Sequence, residues 1–392
     1  MSHSFFSAVT KTLRRELQRM KSRPLYFICT VGVMSFCFLF FLTLFSPGQP
    51  TAMPIAIVDH DQTPSTRSFI RNLSATQQVK VVMQLNNQAE ARKEMQKGNI
   101  YAFVEVKHGF TADAIANRRP TIVFYVNDTY LIAGSLLYKD ISYMSALASA
   151  SMQQKVLRAK GVNESQIMGI IQPIISDTHL IGNPWANYGV YLITLLLPGV
   201  LQLMVLLMTI FPIGVELKEK TSREWLRTAN KSMAAALIGK LLPYTVIFIL
   251  LGIISNILLY GFMHYPTQAG IGGMFLATII YILAYQAIGI LIIGTLPVLR
   301  DSVAMAALYG LFAFTFAGFT FPIEQMPYPV QIFSEIFPIR HYFRIYVNQA
   351  LHGTSISYSY AYYLIMLAFT LLPALVFYRL KKAAIYMNYP TK

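Results

Sequence analysis

Charge is scarce in this sequence. Of 392 residues only 12% are Asp, Glu, Lys or Arg, while 55% are hydrophobic. A soluble domain carries about 25% charged residues, so the shortage points to an integral membrane protein. Acid is the scarcer sign, 17 Asp and Glu against 32 Lys and Arg, for a net charge of +15. The basic residues cluster beside apolar runs, so bilayer orientation and anionic lipid explain the excess more simply than nucleic acid does. Cysteine is almost missing. Cys29 and Cys37 share one apolar run, which excludes a disulfide framework outside the membrane. Neither G-x-x-x-x-G-K-[ST] nor G-x-G-x-x-G occurs, so the chain offers no nucleotide cradle and any ATP is expected to be hydrolysed by another subunit. HExxH and CxxC are absent too, and no catalytic, metal or cofactor site is expected. The middles of the apolar runs lack Asp, Glu, Lys, Arg and His. Ion- and proton-coupled carriers keep such residues there, which argues against secondary transport.

Apolar runs long enough to cross a bilayer are plentiful, each needing about 20 residues. They occupy 25–45, 188–213, 241–262, 271–298, 302–321 and 359–378. Ahead of the first, residues 1–24 read as an amphipathic helix. Phe5, Val9, Leu13, Leu17 and Met20 recur at helical spacing among six basic residues, and such a helix lies in the membrane interface with its basic face to lipid headgroups. A signal peptide is rejected because the run is too long and Ser46-Pro47-Gly48 is a poor cleavage site. Arg379, Lys381 and Lys382 follow the last run. All short basic clusters then fall on one side, which predicts six spans with both ends cytoplasmic, in a bacterial inner membrane.

Residues 48–185 differ in kind. Strands are predicted at 54–58, 79–85, 100–106 and 121–126. Helices are predicted from Pro64 after a Thr63 cap, at 87–97 between Asn87 and Gly98, at 110–117, from 129 to about 160, and at 163–176. The alternation predicts an α/β domain with helices packed on a small sheet, lying outside between spans one and two. Asp59 and Asp61 form a D-x-D that capping and turn chemistry explain better than a metal site.

Two stretches interrupt the greasy part of the chain. Phe211 to Lys240 is a dense charged island. It carries six basic residues, Glu216, Glu219, Glu224 and Trp225, a mixture that topology alone does not require. Its reading is a docking helix, 215–232, with a solvated loop as the plainer alternative. Residues 322–353 are broken by Pro322, Pro327, Pro329 and Pro338. Such backbone survives at membrane depth only when buried in protein or lining water, so the stretch is a re-entrant hairpin at the outer face or an interfacial lid. Arg340 and Arg344 could meet an anionic headgroup or Glu335, or snorkel to the surface. Gln202, Asn256 and Gln286 are the polar residues left in the spans. They line a permeation path or serve as interhelical glue. The abundance of Tyr, Phe and Met suits lipophilic or amphipathic cargo, though any membrane bundle shares that composition.

Three motifs carry a resemblance. V-D-H-D-Q-T-P-S-T-R at 58–67 and G-N-I-Y-A-F-V-E-V at 98–106 open and continue the outer domain. E-K-T-S-R-E-W-L at 219–226 lies in the charged island, with Thr221 where glycine is usual and Asn230 where proline is common. G-F-T-F-P-I-E-Q-M-P at 318–327 is followed by Gln331 and Pro338. Together they resemble the permease subunits of type-2 ABC exporters, in the subgroup with a large periplasmic domain after the first span. The resemblance implies a half-transporter that pairs with a second permease, as a homodimer or heterodimer. Separate ATP-binding-cassette subunits, using ATP and magnesium, would dock on 215–232 and on the N-terminal helix. Glu216, Glu219, Ser222, Glu224, Trp225 and Leu226 would couple to them. Pro322, Met326, Pro327, Gln331 and Pro338 would form an outer gate. A periplasmic membrane-fusion protein is a further expected partner, resting on the size of the outer domain. The expected function is export of an amphipathic or lipophilic substrate from the cytoplasm or inner leaflet. The alternative is a non-transporting membrane sensor or assembly protein with a ligand- or partner-binding periplasmic domain.

Overall fold

The computed structural model describes residues 2–116, 118–386 and 389–390. The chain divides into two compact units. Gln49–Thr178 is one; the chain through Gly48 and from His179 onward is the other.

The smaller unit is a four-stranded sheet of order β2-β1-β3-β4, with β1 at Met53–Asp59, β2 at Val79–Gln84, β3 at Ala102–Val106 and β4 at Ile122–Val126. β1 runs parallel to both β2 and β3, and β4 is antiparallel to β3. Central parallel strands are covered on both faces and so read as continuous apolar runs. Ile55 and Ile57 pack with Phe69, Leu73, Leu137 and Ile141 on one side. Ala56 and Val58 pack with Ala91 and Phe103 on the other. Local chemistry sets the helix starts. Thr63 and Thr66 form a reciprocal capping box ahead of Pro64–Ser74, and Asn87 caps Gln88–Gln96. Gly98 then takes the left-handed conformation, φ 78°, that stops this helix. The D-x-D is turn chemistry. Asp59 Oδ1 accepts from the backbone N of Asp61 and of Gln62, both at 3.0 Å. The expected outer limit needs correcting, because the compact unit ends at Thr178 and 179–185 belong to the helical unit.

Among the described residues the larger unit holds five helices long and apolar enough to cross a membrane: Pro24–Leu44, Tyr188–Lys218, Met233–Phe262, Gly272–Thr295 and Tyr360–Tyr386. Gly272–Thr295 is the central one. It packs through small residues that let backbones approach. A Cβ at Gly289 would lie 2.8 Å from Thr209 Cβ, and one at Gly294 2.7 Å from Val376 Cβ. The run expected at 302–321 forms a shorter helix, Leu299–Thr315, after which the chain turns irregular. The last run extends past its expected limit to Tyr386, with a break at 370–372. Pro373 lacks the donor a continuous helix needs there, and Leu372 N bonds back to Phe369 O at 3.0 Å instead.

The proline-rich segment is a packed cap. It contains two short helices, Tyr328–Ser334 and Pro338–Ile345, the second prolonged through wider turns at Tyr346–Leu351. Tyrosines of Leu299–Thr315 and Gly272–Thr295 hold it. Tyr309 Oη donates to Ile336 O at 2.6 Å, and Tyr285 Oη accepts from Ile339 N at 3.3 Å.

Candidate functional site

The N-terminal helix Ser2–Ser22 packs along Met233–Asn256. Its buried stripe is Ala8, Thr12, Glu16 and, half-buried, Arg19, while Phe5, Phe6 and Leu17 point outward. Gly239 permits the crossing: a Cβ there would lie 2.6 Å from Val9 O and 2.7 Å from Thr12 Cβ. The helix therefore packs chiefly on its small and polar side, with Val9 and Met20 partly buried at its edges, and leaves Phe5, Phe6 and Leu17 exposed.

The stripe delivers charge into the bundle. Lys240, fully buried, pairs with Glu16 and, at 3.0 Å, with Glu216. Tyr244 Oη donates to Glu16 at 2.6 Å. Glu216, also fully buried, accepts from Arg15 at 3.2 Å, from Arg19 at 2.6 Å and from Thr221. Glu219 pairs with Arg19 and, at 2.9 Å, with Arg23. Burial alone would lower the pKa of Arg19; Glu216 and Glu219 outweigh it and hold the guanidinium above its ordinary range. A buried ion stripped of its partners is costly, so these contacts lock three segments distant in sequence. One expectation is corrected: Arg15, Arg19 and Arg23 face glutamates of the island, not lipid headgroups.

The island is built on this cluster. The helix expected at 215–232 is corrected: residues 215–218 end the long helix Tyr188–Lys218, and Ser222–Thr228 is a separate two-turn helix whose inner side is Ser222, Trp225 and Leu226. Trp225 is fully buried, its indole donating to Ala236 O at 3.2 Å beneath Lys240 Nζ, 5.3 Å from the ring centre. Ser222 donates to Ala384 O at 2.7 Å, tying the last helix in. Of the six residues expected to couple, Glu216, Ser222, Trp225 and Leu226 thus hold the helix in place, while Glu219 and Glu224 reach the surface. The outward face is mainly Lys218, Lys220, Arg223, Glu224, Arg227 and Lys231. The turns at either end use left-handed residues. Lys220 (φ 58°) precedes the helix, and Asn230 (φ 52°) and Lys231 (φ 61°) follow it.

Of the residues expected at the outer gate, Met326 and Gln331 are joined directly. Pro322 and Pro327 begin short turns, and Pro338 opens the second helix. Gln331 Nε2 donates to Met326 O at 2.8 Å, and Arg340 returns a bond to Gln331 O, also at 2.8 Å. Arg340 pairs with Glu335 at 2.9 Å, and Arg344 pairs with Glu324. The three interior amides bond between helices. Gln202 donates to Gly310 O at 3.3 Å, Asn256 to Thr278 Oγ1 at 2.8 Å, and Gln286 accepts from Thr245 at 2.9 Å. A cavity of about 20 Å³, roughly one water's space, adjoins Asn256 and Thr278. Among the described residues no three or more His, Cys, Asp or Glu converge as a metal site.

Sequence reasoning missed Glu16 and the partners of Lys240. The available signals were a lone acid in a basic helix and a lysine at the mouth of an apolar run.

Several helices long and apolar enough to cross a membrane define a multi-pass membrane protein, in which a charged cluster clamps a small helix at one end of the bundle. The family model for ABC-2 family transporter proteins matches residues 24–379, and the chain belongs to that family. It is the membrane-spanning permease component of an ABC transporter, which works with ATP-binding-cassette subunits. Comparison with curated proteins gives no match.

Proposed function

We propose that the chain is the permease half of an exporter, driven by separate ATP-binding subunits that seat on the outward face of Ser222–Thr228. Six spans are counted by adding Leu299–Thr315 to the five long helices. Both termini and the charged cluster then lie in the cytoplasm, and Gln49–Thr178 lies in the periplasm of a bacterial inner membrane. A second permease, identical or sister, completes the pore, and a membrane-fusion protein receives cargo at the periplasmic unit. The cargo is amphipathic or lipophilic, a reading supported by walls with no acid or base at mid-span.

The buried cluster of Glu16, Glu216 and Lys240 carries the proposal. It supports the docking helix from beneath, so that a push on Arg227 or Lys218 is delivered to the N-terminal helix and to Met233–Phe262 together. Docking by the exposed residues is tested with Lys218→Glu combined with Arg227→Glu. Surface changes of this kind alter stability by about 0.5 kcal/mol or less. The expected result is an intact, monodisperse permease that no longer co-purifies with its ATP-binding subunit and no longer supports ATP-dependent export in vesicles. Undiminished co-purification and export would sink the docking claim.

A further inference from the structure

A cavity of about 500 Å³ opens where Tyr188–Lys218 begins and Met233–Phe262 ends, the end of the bundle away from Glu216. Its walls come from 180–187, Val190 and 263–268. The volume is that of a small-molecule pocket, and the site is pre-formed. Asn183 Nδ2 donates to Asn187 O and Asn183 Oδ1 accepts from Asn187 N, both at 2.9 Å, which clasps the first loop. Asn187 Oδ1 caps the following helix through Gly189 N at 2.8 Å. Gly182 and His264 hold left-handed conformations, φ 85° and 52°, at the two loops' bends.

Among the described residues no Asp, Glu, Lys or Arg lines the cavity. Leu180, Ile181, Val190 and Met263 supply the apolar wall, and His264 and Gln268 add polar groups, both exposed. Trp185, 84% exposed, stands beside it, and Tyr265 is buried within it. Tryptophan and tyrosine at the ends of membrane helices sit at headgroup level. An ionised group placed against such walls would find no opposite charge, whereas a hydrocarbon chain would meet Leu180, Ile181, Val190 and Met263.

We propose that this cavity binds one hydrocarbon chain of an amphiphile whose headgroup carries no net charge, with that headgroup against His264 and Gln268. The chain comes either from a bilayer lipid or from an amphiphile in transit.

Trp185 is the reporter, because bromine on a bound chain quenches a neighbouring indole. The signal is assigned by its loss in Trp185→Phe, since the other tryptophan, Trp225, is buried in the charged cluster. The full-length protein is reconstituted in phosphatidylcholine vesicles. One arm uses chain-brominated phosphatidylcholine, and the other titrates brominated alkyl glucoside into unbrominated vesicles. Saturable quenching is expected, falling at least twofold in Ile181→Asp, a site 77% exposed where folding tolerates the change. Quenching confined to the first arm identifies bilayer lipid, and saturation in the second identifies a free amphiphile; both support the site. Equal quenching of parent and Ile181→Asp in both arms overturns it. Equal saturation by a brominated alkyl sulfate overturns the requirement for an uncharged head.

Discussion

Replacing Lys240 by Met removes, among the described residues, the cation that is ion-paired with both Glu16 and Glu216. Methionine fills most of the lysine stem, so the chief loss is electrostatic. Glu216 keeps Arg15 and Arg19, but Glu16, 1% exposed, is left with the Tyr244 hydroxyl at 2.6 Å. Breaking a buried pair from one side costs about 3–5 kcal/mol, because the orphaned charge stays desolvated. At roughly 2–4 °C per kcal/mol for a domain of this class, the melting temperature should fall by about 6–20 °C. Removing the acid as well should restore much of the loss, since replacing both members of a buried pair is often near neutral. The assay is thermal unfolding of the purified permease followed by Trp225 emission, a local probe because Lys240 Nζ sits 5.3 Å from its ring. Lys240→Met and Glu16→Gln should each destabilise, and the double variant should lose clearly less than their sum. A melting temperature unchanged in Lys240→Met, or strictly additive losses, would refute the claim that this cluster braces the docking helix.

Other perturbations follow from the same contacts. Gly239→Leu drives side-chain atoms into Val9 O and Thr12, at a cost of about 1–3 kcal/mol; hydrogen exchange should rise along Ser2–Ser22 and stay unchanged in the sheet. Gln331→Ala removes the bond to Met326 O and should loosen the cap by about 1 kcal/mol, seen as faster proteolysis at 322–337. In the α/β unit, burial raises the pKa of Asp61, but hydrogen bonds from the Thr111 side chain and backbone and from Thr63 outweigh it and hold the carboxyl below its ordinary value. A folded pKa below the unfolded one means stability is fully present above the ordinary carboxylate range and is lost as pH falls through the lowered value. Amide protection of Pro64–Ser74 should therefore weaken on acidification, and Asp61→Asn should abolish that pH dependence.

Much of this was legible because the causes are local. Thr63-Pro64 and Asn87 with Gly98 mark helix ends through their own side chains and backbone. The long apolar runs declare themselves by hydropathy over 20 residues. Leu299–Thr315 is shorter than its run because Phe316 onward turns away to meet the proline-rich cap. The charge cluster was illegible for a different reason. Arg15, Glu16, Arg19, Glu216 and Lys240 meet only through tertiary packing, across as many as 228 residues for the Glu16–Tyr244 bond. The apolar spacing of Phe5, Val9, Leu13, Leu17 and Met20 marks an amphipathic helix but does not show which side meets the bundle. Its packed side is the small and polar one that Gly239 admits. Trp225 was conspicuous in the sequence, yet full burial makes it the seat of Ser222–Thr228, while Arg223, Glu224 and Arg227 are exposed on that helix.

The most direct measurement is an electron-spin distance between labels at Leu17 and Arg227, both exposed, in the permease assembled with its ATP-binding subunits and taken through nucleotide binding. If the cluster joins the N-terminal and docking helices into one force-receiving piece, that distance stays fixed while one from Arg227 to Tyr328 in the cap changes. A shift between Leu17 and Arg227 of about 5 Å, one helical turn, would show that the two helices move apart and would contradict it.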